Sequence, residues 1–233
     1  MSLSENLQLV QHRIALSAEA AGRDPSSITL LAVSKTFDAQ SVLTAALAGQ
    51  RAFGENYVQE AIDKIAATLA LKPDLHLEWH FIGPIQSNKT RQIAEHFDWV
   101  HSVDRLKIAQ RLSEQRPASM PPLQICLQVN VSGEATKSGI EPEALLELAR
   151  EVSVLPNICL RGLMAIPEPT EDVQQQRAAF ASLRLMQSDL LAAGIQTDTL
   201  SMGMSSDMDA AIAEGATIVR IGTAIFGVRD YAK

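Results

Sequence analysis

The chain has 233 residues, a length that suits a single α/β barrel as well as two smaller domains. With 46% hydrophobic, 20% charged and 4% aromatic residues, it has the make-up of an ordinary globule with an aliphatic core. A net charge of −7 argues against a general binder of nucleic acid or membrane surface, because phosphate-rich surfaces repel it and the nearest thing to a basic cluster is Lys89 with Arg91.

In chain order, Leu7, Val10, Ile14 and Ser17 or Ala18 recur at helical spacing and predict a helix over about 4 to 21, closed by Gly22 and Pro25. This segment lacks a basic region followed by an apolar core, so it is no secretion signal, and no apolar stretch reaches the roughly 20 residues needed to span a bilayer. A cytoplasmic protein is the expectation. The chain then alternates. Strand-like runs at 28–35, 51–56, 78–83, 99–103, 123–132, 157–166, 199–204 and 217–227 are separated by helical segments at 38–49, 57–70, 86–97, 104–115, 141–153, 171–193 and 206–215. Strict βα alternation implies a parallel sheet with helices outside, and eight units favour closure into a (β/α)8 TIM-type barrel. The last strand lacks a full helix behind it, and the extra N-terminal helix is the candidate to cover that gap. No linker or low-complexity segment interrupts the pattern, so 1–233 reads as a single domain. Cys126 and Cys159 each sit in an apolar run and read as buried free thiols on strands; their spacing makes no zinc motif, and no metal is assigned.

Barrel sites lie at the C-terminal strand ends. Lys35 stands there after ITLLAVS, and by period two it shares a face with Leu31 and Val33. An amine at an apolar mouth is partly desolvated, which lowers its pKa and leaves neutral amine able to attack a carbonyl. The alternative is a strand-capping lysine reaching solvent. The other lysines, 64, 72, 89, 107, 137 and 233, fall in helices, loops or the tail. The loops after the last two strands read LSMGMSSDMDAA and RIGTAIFG. Ser201, Gly203, Ser205 and Ser206 run into a helix start, and Gly222 with Thr223 offers a close backbone approach and a hydroxyl; together they suit a phosphate, or else are only caps and a turn. Arg220 shares a face with Gly222, and an arginine pointing into a barrel needs a partner, either structural or a ring nitrogen. An activated lysine, a phosphate loop and an arginine together suit a phosphorylated aromatic aldehyde. Because guanidinium only donates, a pyridine nitrogen facing it stays unprotonated, which weakens the ring as an electron sink. Asn56 and His80 are further strand-end candidates for the cofactor face, or equally a turn asparagine and a core histidine.

The segments LLAVSKT, FGENYVQE, WHFIGPIQSNK, KSGI, LRGLMAIPE, LSMGMSSDM and VRIGTAIFG resemble the YggS/PROSC-type pyridoxal phosphate homeostasis proteins, from about residue 28 to the end. The resemblance implies a barrel similar to the N-terminal domain of alanine racemase, with pyridoxal 5′-phosphate held as a Schiff base on Lys35. It also implies Arg220 near the pyridine nitrogen, and phosphate contacts from Ser205, Gly222 and Thr223 with Ser201 and Met204 as neighbours. Asn56 and His80 are carried to the ring face. The implied function is vitamin B6 homeostasis and carriage of the cofactor without established catalysis, with apo-enzymes that use it as recipients and the protein itself a monomer or weak dimer. An amino-acid racemase is the alternative. Racemization of that type uses a second base, a tyrosine from an appended domain; neither Tyr57 nor Tyr231 is assignable to that role. Lys137, in EATKSGI, is a solvated loop lysine or a secondary cofactor contact.

Overall fold

The computed structural model describes residues 2–132 and 138–228. Eight parallel strands, β1 (Thr29–Val33), β2 (Ala52–Glu55), β3 (Glu78–Phe81), β4 (Trp99–Val103), β5 (Leu123–Gln128), β6 (Ile158–Met164), β7 (Thr199–Ser201) and β8 (Ile218–Ile221), follow one another around a closed barrel. Closure is made by β8 beside β1, with Leu31 opposite Arg220. The helices are α1 (Leu3–Ala20), α2 (Ala39–Leu47), α3 (Val58–Leu71), α4 (Thr90–His96), α5 (Leu106–Gln115), α6 (Leu145–Ser153), α7 (Val173–Ala192), α8 (Met208–Ala213) and the one-turn α9 (Thr223–Phe226).

Period-two alternation divides each strand between two cores. Outward residues such as Leu30, Ala32, Phe53, Phe81 and Val100 pack under the helices. Inward ones form a smaller plug of Leu31, Ala52, Trp99, Cys126, Met164 and Ile218. With both faces covered, the strands read as nearly continuous apolar runs, as parallel strands do.

The α1 helix starts with a capping box between Ser2 and Glu5 and buries Leu7, Val10, Ile14 and Ala18. It fills the outer-ring position that the short α9 leaves open, as the missing eighth helix led one to expect. Asn6 donates to the Ile225 carbonyl at 3.0 Å, Arg23 to the Ile212 carbonyl at 2.8 Å, and Arg13 pairs with Asp209 at 2.6 Å. Among the described residues, no helix is long and apolar enough to cross a membrane.

Differences from the expected elements gather at the strand ends. The expected strand 28–35 ends at Val33, 123–132 at Gln128 and 199–204 at Ser201, because the last residues leave the ladder to build the loops of the mouth. The helices expected at 86–97 and 141–153 each open with a separate 3₁₀ turn, Ser87–Lys89 and Pro142–Ala144. Cys126 is buried, and burial pushes its thiol up to about 12. Cys159 is a correction: it is exposed. Its neighbours Ile158 and Leu160 take the helix-facing side of β6, which leaves Cys159 at the open N-terminal rim of the barrel.

Candidate functional site at the barrel mouth

A cavity of about 310 Å³ opens at the C-terminal ends of the strands. Val33, Ile82 and Ile166 give it apolar walls, and Lys35, Asn56, Met204, Ser205, Arg220, Gly222 and Thr223 all line it. Lys137 and Tyr231 lie outside the described residues.

Lys35 stands two residues past β1, in a turn gripped from both sides. The Ser34 carbonyl accepts from Lys64 Nζ at 2.8 Å, the Ser34 hydroxyl donates to Glu55 Oε1 at 2.6 Å, and the Thr36 N–H donates to Glu60 Oε1 at 2.6 Å. Lys64 in turn pairs with Glu55 at 2.6 Å and Glu60 at 3.0 Å, buried between the sheet and α3. Burial raises the Glu55 carboxyl above its ordinary value, and the Lys64 charge pulls it back. Thr36 adopts φ 70°, a left-handed conformation that costs a β-branched residue energy and that the surrounding contacts must hold in place. Phe37 then stacks on Phe226 with ring centroids 5.1 Å apart, tying this turn to α9.

Across the cavity, the loop after β7 carries Met204 and Ser205. The Met204 N–H donates to Asp207 Oδ1 at 2.6 Å, and the Ser205 carbonyl accepts from Arg13 at 3.0 Å, so the N-terminal helix also steadies this loop. Gly203 has φ +94°, and a Cβ there would meet the Ala211 Cβ at 2.6 Å, so no other residue suits the position. Gly222 brings β8 against β1: a Cβ would press on the Val33 carbonyl at 3.2 Å. Thr223 opens α9, whose first N–H groups have no partners within the helix.

Arg220 is buried, and burial pushes its guanidinium down to about 10. It makes no ion pair with a described residue. Its Nη1 donates to Ser201 Oγ at 2.9 Å and its Nη2 to the Ala165 carbonyl at 2.9 Å, while the side chain still borders the cavity. Two candidates are placed elsewhere. Ser201, grouped by its loop with the phosphate contacts, ends β7 pointing into the barrel, where it meets Arg220 and His101. His80, expected at the ring face, lies deeper in the interior between Glu78 and His101. It sits on the inner face of β3 two residues before Ile82, which takes the place at the mouth.

Sequence reasoning missed Lys64, Glu55, Glu60 and His101. A signal existed for two of them. Lys64 falls on the buried stripe of α3 between Ala61 and Thr68, and His101 shares an inward face with Trp99 by period two. Among the described residues, no group of three or more His, Cys, Asp or Glu side chains is placed to hold a metal ion.

The fold and this mouth define a class, the barrel described as "Alanine racemase, N-terminal domain", whose family profile matches residues 6–230. The chain is 65% identical over 230 residues to the pyridoxal phosphate homeostasis protein of Pseudomonas aeruginosa, covering 99% of this chain and 97% of that one. It superposes with TM-score 0.83 on PipY of Synechococcus elongatus, solved with PLP bound, at 39% identity over 97% of this chain and all of that one. An alanine racemase of Clostridium difficile shares the fold at TM-score 0.73 and 18% identity, with 58% of its chain covered. The chain belongs to the family of pyridoxal phosphate homeostasis proteins.

Proposed function

We propose that the protein binds pyridoxal 5′-phosphate in the mouth cavity, covalently through Lys35, and serves the homeostasis and carriage of this cofactor rather than its catalytic use. The observation that carries the reading is one cavity bordered by Lys35, a buried arginine without a carboxylate partner among the described residues, and the Ser205 and Thr223 loops. Three features fit the group. Asn56 Oδ1 is buried without a hydrogen-bond partner among the described residues at the cavity wall, an orphan that a ligand donor would satisfy. The Gly222 cradle admits a close backbone approach beside Thr223. Arg220 retains donors beyond the two it uses.

When bound, the group supplies an aldehyde carbon that condenses with a primary amine as water leaves. Lys35 supplies that amine, its backbone steadied by Lys64 and Glu60. Arg220 would donate toward the ring nitrogen and, because it only donates, would keep that nitrogen unprotonated. Such a ring is a poor electron sink, which favours holding over carbanion chemistry. The names of the relatives accord with this, since they speak of homeostasis and not of an enzyme. On this reading the protein works in the cytoplasm as a monomer or weak dimer and hands the cofactor to apo-enzymes.

The test is borohydride reduction of the loaded protein followed by peptide mapping. The expected result is a pyridoxyl group on Lys35, with Lys35→Ala losing both the label and the visible absorption band, and no exchange of an amino acid's α-proton with solvent. A label confined to other lysines, or α-proton exchange at a catalytic rate, overturns the reading.

A further inference from the structure

A chain of buried polar side chains crosses the barrel interior beneath the cavity. Glu78 Oε1 lies 2.7 Å from His80 Nε2, His80 Nδ1 lies 2.8 Å from His101 Nε2, and His101 Nδ1 lies 2.7 Å from Ser201 Oγ. Ser201 Oγ accepts from Arg220 Nη1 at 2.9 Å. Glu78 stands at the start of β3, near the opposite rim of the barrel, with its side chain half exposed; the next three members are buried.

The direction of every bond follows from Arg220. A guanidinium has no acceptor, so Ser201 Oγ receives its N–H. The only other described partner of that oxygen is His101 Nδ1. If His101 donated there as well, the buried Ser201 hydroxyl proton would be left without an acceptor, at a cost of about 1–3 kcal/mol. The hydroxyl therefore donates to His101 Nδ1. His101 then carries its proton on Nε2 and donates to His80 Nδ1. His80 carries its proton on Nε2 and donates to Glu78, whose ionised carboxylate can only accept. The two ends, a group that only donates and a group that only accepts, agree on one direction although they were assigned independently. Burial, with the nearby Arg220 charge adding, keeps His101 well below its ordinary value and hence neutral, as the chain requires. His80 is held in plane by stacking on Trp99, with centroids 5.3 Å apart and 5° between rings, and Arg161 covers Trp99 at 4.9 Å.

We propose that Glu78, His80, His101 and Ser201 are positioning residues for Arg220: a one-way hydrogen-bond chain that presents lone pairs alone to Nη1, and so fixes the orientation in which the guanidinium borders the cavity. The inference rests on the reading of Arg220 as the partner of the cofactor's ring nitrogen. Its consequence is that a change at Glu78, across the barrel from the mouth, reaches the ring.

Long-range ¹H–¹⁵N NMR on the cofactor-free protein reads the histidine tautomers directly. Both His80 and His101 are expected neutral with the proton on Nε2. In Ser201→Ala, the ¹⁵N signal of His101 Nδ1 loses the shift due to its accepted hydrogen bond, the cofactor binds about ten-fold more weakly, and the ¹⁵N signal of ring-labelled pyridoxal phosphate shifts; Ser201→Thr, which keeps the hydroxyl, restores all three. Glu78→Leu shifts the His80 Nε2 signal, which loses its acceptor, and moves the ring signal in the same direction by less. A proton on His101 Nδ1, or a charged His80, in the wild type overturns the chain, as does a ring signal indifferent to both Ser201→Ala and Glu78→Leu. Because the tautomers are read without cofactor, failure of the functional reading shows separately, as absence of binding by the wild type.

Discussion

The two flanks of the cavity hold their key side chains by opposite electrostatic means. Behind Lys35, outside the barrel wall, the supports are ions: Lys64 uses its ammonium on Glu55, Glu60 and the Ser34 carbonyl, and so holds the backbone of the turn. Beneath Arg220, inside the barrel, the supports that touch the guanidinium are neutral, a serine hydroxyl and a backbone carbonyl, with the carboxylate of Glu78 four bonds further along the chain. Ions on the first flank pair with one another and grip backbone, with Glu55 Oε1 taking both Lys64 and Ser34 while Oε2 has no partner among the described residues. On the second flank the cation itself faces the cavity. A carboxylate in direct contact would satisfy it and draw its donors away, whereas weak neutral acceptors leave donors for a ligand. The lesson is that one site can be steadied by charge where ions of opposite sign face each other, and by neutral groups where a charge must remain available.

Four substitutions would break or sharpen this contrast. The largest effect is expected from Lys64→Met, which leaves Glu55 buried without its cation; loss of one partner of a buried pair costs about 3–5 kcal/mol, read as a lowered urea midpoint at neutral pH. Pairing it with Glu55→Leu should recover much of that loss, and a double variant no more stable than Lys64→Met alone would show that the ions do more than satisfy each other. Thr36→Gly comes next. Release of the φ 70° conformation should raise stability by about 1 kcal/mol, set against the greater freedom of glycine in the unfolded chain; an unchanged or lower midpoint would mean that the turn is not strained.

The smallest effect belongs to Glu78, half exposed at the far end of the neutral chain. Its hydrogen bond from His80 holds its carboxyl below the ordinary value of 4.5. A carboxyl lowered on folding contributes stability that is present above its unfolded value and is lost as pH falls through the folded one. The difference in urea midpoint between wild type and Glu78→Gln should therefore be present at pH 7 and shrink only as the pH drops below 4.5. A difference that grows toward acid would reverse the sign and contradict the assignment of Glu78 as the ionised acceptor.

Much of the site was legible because barrel geometry converts position along a strand into position in space. Period two set Lys35 on the face of Leu31 and Val33, and Arg220 on the face of Gly222, and the structure has Val33, Lys35, Arg220 and Gly222 at one cavity. The same rule was insufficient for His80 and Ser201. It assigns a face but not a depth, and both side chains lie below the mouth, where they meet His101 rather than the cavity. Lys64 was passed over because a lysine on a helix is ordinarily a solvated one; its burial depends on Glu55, nine residues earlier, turning outward from β2 beneath it. Cys159 went wrong for the complementary reason, an apolar neighbourhood along the chain that becomes an open rim in the barrel.

By itself, the amino-acid sequence determined the alternation of strands and helices, the count that closes the barrel, the role of α1 as its missing outer helix, and several residues of the mouth, Lys35, Asn56, Ser205, Arg220, Gly222 and Thr223 among them. These follow from local periodicity and from turn residues, which act over a few neighbouring positions. Only the tertiary structure decided which interior groups touch. His101 and Ser201 are 100 residues apart, and Arg220 and Ala165 are 55 apart. Their meeting depends on the stagger of eight strands around a common axis, so the direction of the hydrogen bonds beneath Arg220 is a property of the closed barrel and of no single segment within it.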